Sequence, residues 1–277
     1  MDSVSEALPS GASGSAFPVT GAAPQSEHLI DLYNRYFEVV LADTPDLLKE
    51  AYRLRYQVYC VENPFENPDE HSDGCERDEY DGHSVHSLLV HRPTGSVAGT
   101  VRLVLPQRGK PLPITRVCRH PLLGNLRVMP AESTAEISRF AVSKQFRRRA
   151  TDRICADYAL VERPPVGDGH DRRVFPHITL GLMKAIVQMS WRHGTTHWSA
   201  VMDPALLRLI GRIGLNFEPL GPLVDYHGVR QPCHGEASEV LAGLRHQRLD
   251  AWELITDSGR YWGGADVQRK FAMAPTP

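Results

Sequence analysis

The sequence lacks the features that assign a chain to a membrane, secreted or nucleic-acid-binding class. No apolar run approaches the roughly 20 residues of a membrane span. The first residues contain neither a basic start nor an apolar signal core, so no secretion signal is predicted. The formal net charge of −2 gives no overall reason to expect nucleic acid, so any basic site must be local.

Disulfide and metal-binding patterns are also missing. The five cysteines are scattered, odd in number and without CxxC spacing: Cys60, Cys75, Cys118, Cys155 and Cys233. Free thiols in a reducing cytoplasm are the simplest interpretation. Offsets of three and five residues do not place three nearby histidines on one face of a strand: His83, His86 and His91. We therefore predict a cytoplasmic protein without a bound metal.

The composition that remains is typical of a globular protein with a substantial core. The chain has 277 residues, of which 42% are hydrophobic and 23% are charged. Residues 1–27 are rich in Ser, Gly, Ala and Pro and predict a flexible tail. The pattern weakens again after Trp262. We predict one domain over residues 28–262, between this tail and a second one at 263–277.

The hydrophobic pattern within this domain alternates between helix and strand periodicity. Helices are predicted from His28, from Thr44, and over Ile178–Arg192, Pro204–Ile213 and about Glu239–Ile255. Strands are predicted over Val39–Ala42, Ser84–Arg92, Ser96–Leu105, Thr134–Val142, His197–Met202 and Asn216–Val224, the last of them with a continuation after Asp225–Gln231. The proline-rich stretch Gln107–Ala131 resembles a covering loop. This order predicts an α/β (α+β) fold in which helices flank a mixed, mostly antiparallel central sheet.

The stretch from Glu132 to Ala150 combines a predicted strand with a cationic turn. Its first half, Thr134–Val142, mixes β-branched and aromatic residues with polar ones. The turn that follows carries Lys144, Arg147, Arg148 and Arg149. A strand leading into such a turn suits an elongated anionic ligand, whose phosphate would meet the amides and guanidiniums of the turn. An interior strand followed by solvated charges is the alternative.

The acidic segment Asn63–Asp81 is too polar for a regular element, so it is predicted to be a loop. It ends in Glu76, Asp78 and Asp81. Carboxylates at this spacing hold a divalent metal, orient an ammonium group or face water, and the spacing does not match a calcium loop. Arg55 in the preceding helix and Arg102 in a later strand each point to solvent or, if buried, need an anionic partner.

Four motifs occur in the order of the LuxI-type autoinducer synthases. They are RYQVYCVE (Arg55–Glu62), ERDEYDGHSVH (Glu76–His86), GTVRL (Gly99–Leu103) and EISRFAV (Glu136–Val142). The longer matches, including AGTVRLVLP and EISRFAVSKQFRRR, resemble the PEP-CTERM/exosortase system-associated acyltransferases, which are related to the long-chain N-acyl amino acid synthases. The resemblance covers roughly Tyr36 to Gly235. It implies a GNAT-like fold and transfer of a fatty acyl group, expected to be a long one, from a thioester to an amine.

The resemblance also implies roles for individual residues. The matching motifs of LuxI-type synthases carry an arginine, an acidic cluster, a second arginine, and a glutamate with an arginine three residues on. In this sequence these are Arg55, then Glu76, Asp78 and Asp81, then Arg102, then Glu136 and Arg139. Glu136 is the general-base candidate, directly or through water, while Asp78 and Asp81 would orient the acceptor amine. The arginines would brace the acidic groups or bind an acceptor carboxylate.

The donor side departs from the family pattern. Backbone N–H groups near Phe140, Ala141 and Val142 would bind the oxyanion. GNAT enzymes that bind coenzyme A usually place a Q/R-x-x-G-x-G/A loop next, whereas Gln145–Ala150 has arginine at the central glycine, which crowds a pyrophosphate. The turn residues Lys144, Gln145, Arg147, Arg148 and Arg149 suit an acidic acyl carrier protein instead. We expect its acyl-phosphopantetheine thioester as donor, coenzyme A as the alternative, and no permanently bound cofactor.

Three other functions are compatible with parts of the sequence. An S-adenosylmethionine acceptor would give an acyl-homoserine lactone, although Pro64–Ser72 lacks the tryptophan that the family has after its first arginine motif. A GNAT-like module that only binds a partner protein is disfavoured by the complete set of carboxylates and arginines. Nucleic-acid binding through Arg147–Arg149 lacks interleaved aromatic residues beyond Phe146.

Overall fold

The computed structural model describes residues 28–146 and 176–262. The predicted tails, residues 1–27 and 263–277, lie outside the described residues. So do Arg147, Arg148 and Arg149 of the predicted donor-binding turn. Within the described ranges, no helix is both long enough and apolar enough to cross a membrane.

The fold is a single sheet with helices on it. The helices are α1 (Leu29–Tyr36), α2 (Pro45–Tyr56), α3 (Pro176–Arg192), α4 (Pro204–Gly211), α5 (Ala237–Gln247) and α6 (Leu249–Thr256). The strands are β1 (Phe37–Leu41), β2 (Ser84–His91), β3 (Ser96–Val104), β4 (Thr134–Val142), β5 (His197–Met202), β6 (Glu218–Pro219), β7 (Val224–Asp225) and β8 (Val229–Glu236). The order is β1-β2-β3-β4-β5-β8-β6, with β7 paired to β8. Only the β4–β5 pair among these is parallel, which confirms the predicted mixed, mostly antiparallel sheet.

Helix α2 brings the first arginine motif to the sheet. Thr44 caps it by accepting a hydrogen bond from the Leu47 N–H, and Pro45 occupies the first turn, where its missing N–H is not needed. The chain does not leave the helix at Tyr56 but continues as a π-helical segment, Gln57–Glu62. Arg55 therefore lies next to a helical irregularity of the kind found at functional sites.

One face of the sheet is apolar and is covered by α3. Ile137 of β4 and Leu103 of β3 are paired neighbours on this face and are buried with Leu182 of α3. The approach is close because β3 has a glycine at Gly99, where a Cβ atom would lie 3.1 Å from Leu182 Cδ1. Side chains alternate along a strand, so Glu136 and Ser138 of β4 point to the opposite face.

Strand β4 is irregular at the point where its partner strands diverge. Its pairing with β5 ends at Ile137 and Ala200, while its pairing with β3 continues to Val142. The β3–β4 register shifts between Thr100 and Arg102, and Arg139 opposite this shift has a φ of 49°. A left-handed residue in a strand is typical of a bulge, which re-aims side chains and backbone groups. The β5-facing edge of β4 beyond Ile137 has no strand partner among the described residues.

The C-terminal part of the sheet differs from its prediction. The predicted strand Asn216–Val224 is wrong: only Glu218–Pro219 and the start of β7 are extended, and the long strand is β8. The predicted continuation after Gln231 falls within β8. It was not predicted to be the main strand, because proline and glycine, here Pro232 and Gly235, argue against an interior strand. The predicted last helix is two helices, since Arg248 interrupts it at φ −143° and ψ 82°. The predicted strand at Thr134–Val142 is confirmed.

Candidate active site

Three arginines from three elements converge on the acidic loop. Arg55 comes from α2, Arg102 from β3 and Arg139 from β4. Their partners are Glu66, Glu76, Asp78 and Asp81. Three positive charges facing four negative ones leave this arginine–carboxylate cluster with a formal charge of −1. The fold thus brings together six of the seven residues predicted as catalytic, all except Glu136.

Arg55 is the buried centre of the cluster and has no exposed surface. Its Nε donates to Glu76 Oε2 at 2.5 Å. Its Nη1 and Nη2 donate to the two carboxylate oxygens of Asp81 at 2.7 and 3.0 Å. This bidentate arrangement satisfies the guanidinium, so Arg55 ties the acidic loop to α2 and is not directed toward solvent.

Arg102 links the same loop to the central strands. Its Nη1 and Nη2 donate to the two oxygens of Asp78 at 2.5 and 2.9 Å, and Nη1 also donates to Asp81 at 2.8 Å. Its Nε donates to Ser138 Oγ at 2.9 Å. Every N–H-bearing nitrogen of Arg102 therefore has an acceptor within the site, as expected for a charge that is 1% exposed.

Arg139 lies at the edge of the cluster and reaches three carboxylates. Its Nη2 donates to Glu66 at 2.8 Å, to Glu76 at 2.9 Å and to Asp78 at 3.2 Å. Its guanidinium also lies over the ring of Tyr59, 5.3 Å from the ring centre. These contacts offset the left-handed backbone of Arg139, a conformation that is unfavourable for a residue with a Cβ.

The arginines keep the buried carboxylates ionised. Burial by itself would raise the pKa of Glu76, but hydrogen bonds and charge from Arg55 and Arg139 outweigh it and bring the pKa to about 2. Burial also raises the pKa of Asp81, but the hydrogen bonds and charge of Arg55 outweigh it and hold this pKa below its usual range. Asp78 and Glu66 are the more accessible members, with side chains 18% and 26% exposed. A cationic ligand can reach these two carboxylates.

Glu136 has a different environment from the cluster. It is 3% exposed, and its Oε2 accepts a hydrogen bond from the Ile114 N–H at 2.7 Å. No arginine or lysine of the described residues forms an ion pair with it. Burial raises its pKa to about 8, against the Ile114 hydrogen bond and the charges of Arg102 and Arg139. Glu136 therefore ionises near neutral pH, the range that suits a general base.

The described donor-binding residues follow one another along the end of β4 and just beyond it. Phe140, Ala141 and Val142 lie on the β4 segment beyond the end of β5 pairing. Lys144 and Gln145 follow and are exposed. The structure thus places the described members in one continuous stretch next to the cluster.

Sequence reasoning missed Glu66, Ser138 and Ile114. Glu66 lies in the acidic loop but outside its terminal ERDEYD motif, so only its charge could have drawn attention to it. Ser138 lies two residues after Glu136 on a predicted strand. Because side chains alternate between the faces of a strand, the sequence could have indicated that Ser138 points to the same face as Glu136. Ile114 acts through its backbone N–H, which no residue type reveals. Within the described ranges, no group of three or more His, Cys, Asp or Glu side chains could hold a metal ion.

Comparison with known proteins gives the class. The Acetyltransferase (GNAT) domain family matches residues 54–156. The AHL synthase LasI is similar in structure, with 17% identity and a TM-score of 0.50 over 76% of this chain and 96% of that chain. BjaI, a CoA-dependent acyl-homoserine lactone synthase solved with SAM and isopentyl-CoA, has 20% identity and a TM-score of 0.50 over 86% and 99%. A search of curated proteins found no match.

A third structure is FeeM, an N-acyl amino acid synthase from uncultured soil microbes, with 12% identity and a TM-score of 0.49 over 77% of this chain and 97% of that chain. The GNAT domain match over residues 54–156 supports an acyltransferase, and the fold shared with LasI is GNAT-like. The predicted enzyme class and the predicted GNAT-like fold are confirmed; the roles of the individual site residues stay predictions.

Proposed function

We propose that this acyltransferase moves a long-chain fatty acyl group from acyl carrier protein to the amine of an amino acid. The observation that supports this most directly is the position of Glu136, a buried carboxyl with a pKa of about 8. It lies on the same strand and the same face as Ser138, whose hydroxyl accepts a hydrogen bond from Arg102. A proton acceptor therefore lies beside a negatively charged cluster that can hold an ammonium group. Those are the two requirements of amine acylation.

The donor would bind along β4. From Ser138 to Val142 this strand has an edge without a strand partner among the described residues. An extended chain with amide groups, such as a phosphopantetheine arm, can use such an edge in the way that an added strand does. Backbone N–H groups at this edge would stabilise the oxyanion that develops on the thioester carbonyl.

The acceptor would bind at the outer side of the cluster. Asp78 and Glu66 are its most accessible carboxylates, and the cluster carries a formal charge of −1. An ammonium group is attracted there, while Glu76 and Asp81 are held by arginine. The sequence resemblance to PEP-CTERM/exosortase system-associated acyltransferases supports an amino acid as this acceptor.

The chemistry then needs one base. Ionised Glu136 takes a proton from the acceptor ammonium, directly or through water, and the neutral amine attacks the thioester carbonyl. The new C–N bond forms, the C–S bond breaks, and the departing sulfur takes a proton. Because the pKa of Glu136 is about 8, turnover is expected to rise with pH toward that value.

A second candidate is an acyl-homoserine lactone synthase with S-adenosylmethionine as acceptor. The fold it shares with LasI and BjaI favours it. The same cluster would hold the ammonium of the methionyl moiety. Pro64–Ser72 contains no tryptophan, which favours the amino acid instead.

Mass spectrometry of the products distinguishes these candidates. Purified protein is incubated with long-chain acyl carrier protein or the matching acyl-CoA, together with amino acids and S-adenosylmethionine. An N-acyl amino acid formed faster from the carrier protein is the expected result, and an acyl-homoserine lactone would replace the proposal by the second candidate. No product from any pair would overturn both.

Variants test the role of the base. Glu136→Gln keeps the size of the side chain and an oxygen for the Ile114 N–H, but it cannot take a proton. We expect it to lower kcat by about a hundredfold or more. Glu132→Gln is the matched control, because Glu132 is exposed and precedes β4. Equal turnover in both variants would remove Glu136 from the mechanism.

A further inference from the structure

A row of polar side chains crosses the sheet from Glu136 to its far edge. In the β4–β5 register Glu136 lies opposite Ser199, and in the β5–β8 register Ser199 lies opposite His234. His234 in turn lies opposite Glu218 of β6. Residues directly opposite each other point to the same face of a sheet, so the four side chains form one continuous row.

The row leads from the interior to solvent. Ser199 has no exposed surface and His234 is 6% exposed, whereas the Glu218 side chain is 77% exposed. Neither Ser199 Oγ nor His234 Nε2 has a hydrogen-bond partner among the described residues. His234 Nε2 lies 3.4 Å from Glu218 Oε2, within ion-pair range. Buried polar atoms are almost always paired, so these two need an explanation.

Acylation of an amine would give such a row a function, because the reaction releases a proton inside the protein. An ammonium and a thioester become an amide, a thiol and one free proton, because one of the two protons lost from nitrogen ends on sulfur. The remaining proton is first held by Glu136, which is buried and has Ile114 as its hydrogen-bond donor. It must reach solvent before the next turnover.

We propose that Ser199 and His234 relay this proton from Glu136 to Glu218 and water. The inference rests on the proposed function, because it assumes Glu136 as the base. Side chains opposite each other in a sheet have Cβ atoms about 4.5–5.5 Å apart, so one water can bridge the carboxyl to the hydroxyl and another the hydroxyl to the imidazole. Each transfer breaks one O–H or N–H bond and forms another, and no group in the row changes its net charge after the proton has passed.

The electrostatics of His234 suit this role. Burial lowers its pKa; Glu218 on β6 opposes this, while His197 on β5 and His120 from the segment before β4 add to it. His234 is therefore neutral near pH 7, with one nitrogen that donates and one that accepts. A neutral imidazole can take a proton on one nitrogen while it releases one from the other.

The first test uses turnover and chemical rescue. His234→Ala is compared with His246→Ala, since His246 is exposed on α5. We expect kcat of His234→Ala to fall about tenfold or more with KM nearly unchanged, and added imidazole to restore much of it. Imidazole should change neither His246→Ala nor Glu136→Gln. Unchanged kcat in a folded His234→Ala variant, or no recovery with imidazole, would overturn the relay while leaving the acyltransferase proposal intact.

The second test needs no turnover. After a jump from pH 7 to pH 9, infrared spectroscopy follows loss of the protonated carboxyl band that is present in the wild type and absent from Glu136→Gln. We expect this loss to slow several-fold in His234→Ala and in Ser199→Ala, and to keep its wild-type rate in His246→Ala. Equal rates in all of them would overturn the relay even if no acyl acceptor had been found.

Discussion

Glu136 should make the stability of the protein depend on pH in a specific direction. Its pKa is raised by burial from 4.5 to about 8. The folded protein therefore keeps a proton that the unfolded chain releases above about pH 4.5. Wherever the folded state binds more protons, the free energy of unfolding falls as pH rises. The contribution of Glu136 is thus fully favourable below its unfolded pKa and declines as pH rises toward about 8.

The size of the effect follows from the two pKa values. Each pH unit between them lowers the free energy of unfolding by about 1.4 kcal/mol. From pH 6 to pH 8 the loss due to Glu136 is about 2 kcal/mol, because the last part of the interval overlaps its own titration. The amide of the Glu136→Gln variant does not titrate, so this substitution should remove the loss while the remaining groups titrate as before.

Urea unfolding at pH 6, 7 and 8 measures this difference. The quantity of interest is the wild-type free energy of unfolding minus that of Glu136→Gln, which cancels the titration of the shared groups. We expect this difference to decline by about 2 kcal/mol across the interval. Glu132 is exposed, so the free energy of unfolding of Glu132→Gln should change with pH in the same way as that of the wild type. A constant difference for Glu136→Gln would mean that Glu136 ionises with an ordinary pKa, and the argument for it as a base near neutrality would fail.

Three further predictions concern the arginine–carboxylate cluster. Arg55→Met should lower the free energy of unfolding by about 3–5 kcal/mol in the same urea assay, because it leaves buried carboxylates unpaired. Arg53→Met is the control: its side chain is 54% exposed, so the free energy of unfolding should change by less than about 1 kcal/mol. Because the pKa of Glu76 is lowered to about 2, its stabilisation is present above about pH 4.5 and should be lost as pH falls toward 2. Acid unfolding followed by circular dichroism checks this, and an Arg55→Met protein with the same acid midpoint as the wild type would contradict it. Asp78→Asn should raise KM for the amine acceptor more than KM for the thioester donor, which initial-rate kinetics measure; equal effects on both would argue against acceptor binding at Asp78.

The sequence predicted the elements that have strong local signals. The strand Thr134–Val142 and the strand His197–Met202 have the predicted bounds, because β-branched and apolar residues alternate there between clear turn residues. β8 was predicted only as a continuation after Gln231 and not as the long strand it is, since Pro232 and Gly235 carry the local signal of a loop. In the folded protein Gly235 instead allows close packing, with a built Cβ only 2.7 Å from Val240 Cγ2. Such a position is recognisable only when the neighbouring helix is known.

The residue types and their order establish the chemical inventory of the site: three arginines, an acidic loop and a glutamate on a central strand. They could not decide which charges pair. Tertiary structure joins Arg55 to Glu76 and Asp81 and leaves Glu136 without an arginine partner among the described residues. The physical reason is that a carboxyl's pKa depends on burial and on charges within a few ångströms, and both are properties of the folded surroundings. Two glutamates of the same residue type therefore have pKa values near 2 and near 8.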